Sequence, residues 1–413
     1  MVRRFTIQDP VLFFLVLLAT LVGMIFIFDA GYARAIGTGK ASFGSIPPEF
    51  LAQLKFLIPA VGLGLLFANL MPGTLRRFAP WFWGIGIALL IFVHFKGTVQ
   101  NGARRWMPLG PFTFQPAEFT KFFAILYLSN VFADREAWVA PKKRIAHWAE
   151  WMDRVAIPKL QRFMPAFWLL VVSFLIEKEK DLGTATIVLM TSLIIFFAGR
   201  VSRSSMIWLC GLALMGGLVF AKLEPYRMER ITNHFARWEP SNVDDVGYQT
   251  VQSEIGMASG GLFGVGLGNG RAKHVIPAPT TDFIMATVAE ETGLFGSVCV
   301  LSILGVIVWR MIWLSRRAPD EFGKLVLIGS AAWIGVQSIT NYVMANATAP
   351  AIGVPLPFFS SGGSSLMALW MTMGACLAVM NPERVHGRNP NKEAAHAASG
   401  QRRRNRRARL SGA

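Results

Sequence analysis

Asp282 stands where a basic, proline-broken loop, Arg271 to Thr281, runs into an apolar stretch. A carboxylate beside several cations at a membrane boundary stays ionised while losing part of its hydration, which is the state a general base needs. The same types serve a plainer purpose, because Thr280, Thr281 and Asp282 are all good capping residues just before a helix. On spacing alone both readings stay open. Four other strings carry chemistry-bearing side chains. Asn101-Gly-Ala-Arg104-Arg105-Trp106 is followed by Gln115-Pro-Ala-Glu118-Phe-Thr-Lys121, in which Pro116 suits a first helical turn and Glu118 and Lys121 share one face. Charges inside a membrane helix are costly, so this pair favours a functional reading. Asp181-Leu-Gly-Thr-Ala185 places an acidic cap before another apolar run. Gly247-Tyr248-Gln249, Ser253 and Ser259-Gly-Gly261 lead into Gly264, Gly266 and Gly268. Their spacing fails the dinucleotide fingerprint and no phosphate-loop lysine follows, so close backbone packing in a re-entrant segment is the better reading. Finally, Pro355-Leu-Pro-Phe-Phe-Ser-Ser-Gly-Gly-Ser364-Ser365 breaks regular structure beside the last apolar run.

What must position these residues follows from composition. The chain is 53% hydrophobic, only 16% charged and has a mean hydropathy of +0.44, too apolar for a soluble two-domain protein. Apolar runs of about 18 or more residues recur along it, the signature of a polytopic, all-α membrane protein. Its net charge of +17 is then first a topology signal, and nucleic acid is not an expected partner. Cys210, Cys299 and Cys376 are odd in number, far apart and each in an apolar run, which suits packing rather than a disulfide framework or a metal site. The first apolar run follows Met-Val-Arg-Arg and is long enough to span, so it is expected to remain as a helix rather than be cleaved.

About ten spans are expected, with both termini cytoplasmic. They cover Val11 to Phe28, Leu51 to Met71, Phe78 to Phe95, Ala117 to Phe132, Ala166 to Ile176, Thr184 to Ala198, Ser205 to Phe220, Asp282 to Ile312, Leu325 to Ala345 and Ser365 to Met380. Residues 1–380 form the transmembrane domain. Within it, 133–165 is a basic cytoplasmic loop whose tryptophans suit a helix lying on the membrane surface or a solvated linker. Residues 221–281 form a large outer loop between the seventh and eighth spans, and 381–413 a basic, disordered cytoplasmic tail held by anionic membrane lipid. Most lysines and arginines fall on the inner side, as the positive-inside rule requires. The outer exceptions, among them Lys96, Arg104, Arg105, Lys121, Arg227, Arg230, Arg237, Arg271 and Lys273, suit an anionic amphiphile such as a lipid-linked diphosphate. Pairing with outer acids such as Glu118, Asp181, Glu224 and Asp244 would account for them equally well.

Taken in order, these strings resemble the SEDS family, the FtsW, RodA and SpoVE group of bacterial cell-wall polymerases, over nearly the whole chain except the inner loop and tail. The resemblance implies a peptidoglycan glycosyltransferase, multi-pass in the bacterial cytoplasmic membrane, that joins lipid II units at the outer face and works with a class B penicillin-binding protein. It implies that Asp282 is the essential carboxylate. Arg104, Arg105, Trp106, Gln115, Glu118, Lys121, Asp181, Tyr248, Gln249, Lys273 and Ser364 would bind substrate, and Glu290 and Glu291 would match the family's acidic pair. The Gly-Tyr-Gln and Ser-Gly-Gly strings lean towards the FtsW branch. Where the family usually reads Leu-Pro-Glu-x-His-Thr-Asp-Phe, this chain has Ile276-Pro-Ala-Pro-Thr-Thr281 before Asp282. Where it reads Gln-Pro-Asp-Leu-Gly-Thr, this chain has Glu179-Lys180 before Asp181, and Ser361 replaces a tyrosine. A diphosphate leaving group needs its charge stabilised, by cations or by a divalent metal, magnesium or manganese, although no ligand cluster stands out. A lipid II flippase and a non-catalytic scaffold that activates a transpeptidase are the rival readings. Intramembrane charges clustered at the outer helix ends favour outer-face chemistry over a transport path.

Overall fold

The computed structural model describes residues 8–37, 44–100, 103–110, 112–134, 147, 148, 152, 157–199, 201, 205–211, 215–217, 225–245 and 247–381. Arg3 and Arg4, nearly all of the basic inner segment before Ile157, the first residues of the large outer loop and the tail after Asn381 lie outside the described residues.

In chain order the helices are α1 (Pro10–Gly37), α2 (Pro48–Ala68), α3 (Pro72–Lys96), α4 (Pro116–Ala133), α5 (Ile157–Lys178), α6 (Leu182–Ala198), α7 (Pro225–Phe235), α8 (Tyr248–Ser259), α9 (Ala272–Val275), α10 (Ile284–Ser315), α11 (Glu321–Ala345) and α12 (Gly363–Val379). Residues 205–211 and 215–217 are helical as well. Among the described residues each predicted span therefore coincides largely with helix, and residues 212–214 and 218–220 of the seventh lie outside the described residues. Prolines open α2, α3 and α4, where the missing N–H has no intrahelical partner to lose. Among the described residues, α1, α2, α3, α10 and α11 are long and apolar enough to cross a membrane alone, and α6 and α12 are shorter apolar helices. The chain is an all-α, multi-pass membrane protein.

Three boundaries depart from the sequence reading. Helix α1 does not stop at Phe28 but continues through the polar residues to Gly37. The fifth span is not short: α5 begins at Ile157, inside the segment expected to be loop, and runs 22 residues through Pro165. The outer connection from α3 to α4 folds as three short antiparallel strands, β1 (Thr98–Gln100), β2 (Ala103–Leu109) and β3 (Phe112–Phe114), in the order β1-β2-β3. Its hydrogen bonds satisfy each other across the hairpins, which lets the Arg104-Arg105-Trp106 string stand as an ordered ribbon.

Helices α4, α11 and α12 form the protein-facing centre, with almost every side chain of α12 buried. Helix α12 lies against α2 so closely that a Cβ on Gly374 would collide with the Gly64 carbonyl oxygen, the small-residue contact that brings membrane helices together. Helix α10 is broken at Gly293, whose φ of 67° is left-handed. Helix α1 lies along α10 and is clasped to its inner end, where Arg310 meets Asp9 at 2.7 Å. Trp313 is stacked there by Arg310 and Arg317.

Candidate functional site

Asp282 lies half-buried in the turn that precedes α10. Phe283, not Asp282, occupies the cap position of α10, and its side chain makes no cap hydrogen bond. The turn is instead held from two remote segments. Asn341 on α11 donates from Nδ2 to the Asp282 carbonyl at 2.8 Å and to the Val354 carbonyl at 2.7 Å. Ser360 Oγ donates to the Thr281 carbonyl at 2.6 Å, and the Ser361 N–H donates to the Thr280 carbonyl at 2.8 Å. Gly353, at φ 70°, passes so near that a Cβ there would sit 3.5 Å from Asp282 Oδ2. The Pro355–Ser361 strap thus fixes the backbone that presents the carboxylate.

The strap is anchored in its turn by α11. Gln337 Nε2 donates to the Pro355 carbonyl at 2.8 Å, while its Oε1 accepts from Trp333 Nε1 at 2.7 Å and Lys121 Nζ at 3.1 Å. Lys121 also pairs with Glu118 at 2.8 Å, both nearly inaccessible, and lies 5.0 Å from the Trp333 ring centre. The structure therefore places Glu118 and Lys121 inside the helix bundle, one end of a polar ladder that runs through Gln337 to the strap.

Lys273 is placed in a buried knot. Its ammonium lies 2.7 and 2.8 Å from the two Asp29 oxygens and 2.5 Å from Glu291 Oε1. Glu290 Oε1 and Oε2 accept from the N–H groups of Arg271 and Ala272 at 2.9 and 2.8 Å, and Glu291 Oε1 accepts from Gly270 at 3.1 Å. The acidic pair thereby clamps the loop that leads to Asp282 onto α10. The extension of α1 past Phe28 is what carries Asp29 into this knot on a rigid helix.

A second acidic corner joins several of the remaining predicted residues. Asp181 caps α6, accepting from the Thr184 N–H at 3.0 Å, and also accepts from Gln115 Nε2 at 3.1 Å. The Gln115 N–H donates to Ser364 Oγ at 3.0 Å. Arg105 donates from Nε to the Glu179 carbonyl at 2.9 Å and from its guanidinium to the Lys180 carbonyl. Glu179 itself is 1% exposed and neither carboxyl oxygen has a hydrogen-bond partner. Burial, with the Asp181 charge adding and Arg105 opposing, pushes its pKa up to about 9, so it carries its proton at neutral pH.

Tyr248 and Gln249 stand half-buried in the first turn of α8, and Ser253 on the same helix donates to the Ala345 carbonyl at 2.5 Å. In the outer loop Arg237 and Trp238 both bind Glu254, while burial, with Arg237, holds His234 below its usual pKa. Of the nine outer cations singled out, Lys121, Lys273, Arg105 and Arg237 are thus committed to internal partners. Lys96, Arg104 and Arg271 are exposed, and Arg227 and Arg230 have no described side chains. Trp106 is half-buried in β2, its carbonyl bonded to Thr98. Asn341, Gln337 and Gly353 escaped the sequence reading, since nothing local marks a lone amide or glycine as the support of a carboxylate far away in the chain.

Among the described residues no group of three or more His, Cys, Asp and Glu side chains is placed to hold a metal ion. Because Glu290 and Glu291 are taken up by backbone N–H groups and Lys273, they are not free to join Asp282. The residues present do not build a protein cage for a divalent cation at this turn.

Residues 9–384 match the family model described as cell cycle protein, FtsW/RodA/SpoVE. Stage V sporulation protein E of Bacillus subtilis (strain 168) is 32% identical over 387 residues, covering 92% of this chain and 98% of that protein. The probable peptidoglycan glycosyltransferase FtsW of Aromatoleum aromaticum is 30% identical over 381 residues, 90% of this chain and 87% of the relative. Among solved structures, a chain of a peptidoglycan synthase complex, described as coordinating polymerization and crosslinking, superposes with a TM-score of 0.68 at 28% identity, covering 91% of this chain and 98% of that one. The Thermus thermophilus rod shape determining protein RodA does so at 0.61 and 26%, covering 91% and 97%. With its strings in order and both sequence and fold matched over about nine-tenths of its length, this chain belongs to the FtsW/RodA/SpoVE family.

Proposed function

We propose that this protein is a peptidoglycan glycosyltransferase that polymerises lipid II into glycan strands at the outer face of the bacterial cytoplasmic membrane, with Asp282 as general base. The supporting observation is the Asp282 turn itself, whose backbone is fixed by Asn341, Ser360 and Ser361 in a chain whose relatives are named for this activity. Such over-determined backbone is what holds a catalytic carboxylate in a productive geometry. Asp282 accepts the proton of the GlcNAc 4-hydroxyl on an acceptor lipid II. The oxygen attacks the anomeric carbon of the donor MurNAc with inversion as the bond to undecaprenyl diphosphate breaks.

The leaving diphosphate takes up negative charge that must be stabilised. Exposed Arg104 and Arg271 are available for it, whereas Lys121 and Lys273 are already neutralised by buried carboxylates. Arg105, Trp106, Gln115, Asp181 and Ser364 shape the neighbouring corner, and Tyr248 and Gln249 the outer loop above it. A magnesium or manganese ion is a second source of stabilisation that would have to lean on the substrate's own oxygens; a titration of either metal against polymerisation rate tests it. A class B penicillin-binding protein is the proposed partner, in keeping with the synthase complex that the fold matches.

Polymerisation of labelled lipid II by the purified chain with its partner, native against Asp282→Ala at matched folding, is the test. Loss of the base should lower the rate by about 10² to 10⁴ with the helix content intact. Normal glycan synthesis by the variant would sink the assignment and move the search to Glu118, Asp181, Glu290 and Glu291.

A further inference from the structure

The glycine-rich segment 260–270 is a tongue spliced into the break of α10. Gly293 leaves the helical path there, and the backbone groups it releases are taken by the tongue. The Val265 and Gly266 N–H groups donate to the Glu290 and Glu291 carbonyls at 3.0 Å each, while the Leu294 and Phe295 N–H groups donate to the Gly261 and Leu262 carbonyls at 2.9 and 3.0 Å. The approach is so close that a Cβ on Gly260 would strike the Ala289 carbonyl and one on Gly264 the Glu291 carbonyl. Between these fixed points the side chains turn outward. Phe263 is 80% exposed, Leu262 63% and Leu267 62%, and they continue the exposed apolar stripe of Leu294, Phe295 and Val298 on α10. No charged residue occurs from Ile255 to Gly270.

Depth can be measured along α10. Exposed Arg316 and Arg317 mark its cytoplasmic edge, and from there to Leu294 the helix rises roughly 33 Å at 1.5 Å per residue. That nearly matches the ~30 Å hydrocarbon core, so Leu294 and Phe295, with the tongue bonded to them, stand at its outer margin. Irregular backbone is tolerated at that depth only where its polar groups are satisfied by protein, and the exchange across Gly293 satisfies them. We infer that the 260–270 tongue is a membrane-embedded element, with Leu262, Phe263 and Leu267 seated among the acyl chains of the outer leaflet. It ties the loop bearing Asp282 to the lipid surface by a span of chain only a few residues long.

The test uses the full-length chain with exposed Cys210 and Cys299 replaced, carrying a nitroxide at Phe263→Cys, Leu267→Cys, Phe295→Cys or Ser241→Cys, in phosphatidylethanolamine/phosphatidylglycerol vesicles. Power-saturation EPR with dissolved oxygen and a water-soluble nickel chelate reads where each label sits. Positions 263 and 267 should collide several-fold more with oxygen than with nickel, as position 295 does, and position 241 should show the reverse. Nickel access at 263 and 267 equal to that at 241 would overturn the inference. Low access to both reagents would also overturn it, by showing the tongue covered by a second copy or another protein. Two label positions on exposed side chains guard against one failing to fold.

Discussion

The knot at Lys273 and the corner at Glu179 each bury a glutamate, Glu291 and Glu179, almost completely and treat it in opposite ways. In the knot, Asp29 and Glu291 share one ammonium and Glu290 is filled by backbone donors, so the acids are met by donors that lock α1, α9 and α10 together. In the corner, Arg105 spends its donors on the carbonyls of Glu179 and Lys180, not on the carboxyl, which is left without a partner. Burial then resolves the cost by protonation. The family's usual residue here is glutamine, and a protonated glutamate is its near-isostere. The difference teaches that a buried acid in this fold is tolerated by counter-charge or by neutrality, and that substitutions should affect the two sites with opposite severity.

Removing the counter-charge is expected to have the largest effect. Lys273→Met leaves two carboxylates buried against each other and should cost about 3 to 5 kcal/mol, read as a lowered Tm of the detergent-solubilised chain. Combining it with Asp29→Asn and Glu291→Gln should recover much of that loss, whereas strict additivity would show that the knot is not an electrostatic unit. Arg105→Ala comes next. It strips two carbonyls of a charged donor, worth about 1.5 to 3 kcal/mol per charged hydrogen bond before solvent screening of the half-buried side chain, and a Tm unchanged from native would refute the bracing role.

Glu179→Gln should do least at low pH and matter progressively more as pH rises above about 4.5. The folded pKa, about 9, lies above the ordinary 4.5, so between them the folded chain binds the extra proton. Its stabilising contribution is complete below 4.5 and is lost as pH rises through about 9. The native Tm should therefore fall more steeply than that of Glu179→Gln between about pH 5 and pH 9. Parallel curves would place an ionised glutamate in the corner.

The spans were legible because apolar runs of sufficient length have few alternatives to membrane helix, and the strings around Asp282, Asp181 and Lys121 stood out because polar side chains are rare between such runs. What sequence could not show is how the polar groups choose partners. Lys121 and Lys273 read as outer-face cations suited to a diphosphate, yet each meets a carboxylate inside the protein, Lys273 across 244 residues of chain. Asn341 and Gln337 carry no local mark of their reach to the Asp282 turn and the strap. Gly293 is one more glycine in an apolar helix, where glycine is common, and only its positive φ reveals the break. The hairpin strands were missed because they are three to seven residues long and interrupted by charge.

Two long-range ion pairs at α1, one on Asp29 and one on Asp9 just before it, also set an order of biosynthesis. Asp9 waits for Arg310, 301 residues later, and Asp29 waits for Lys273. Helix α1 therefore gains these two partners only after α9 and α10 have been made. Until α9 and α10 have been translated, Asp29 and Asp9 lack their cationic partners, so early α1 must be held by the insertion machinery or by α2, and a nascent chain halted before α9 should still let α1 exchange.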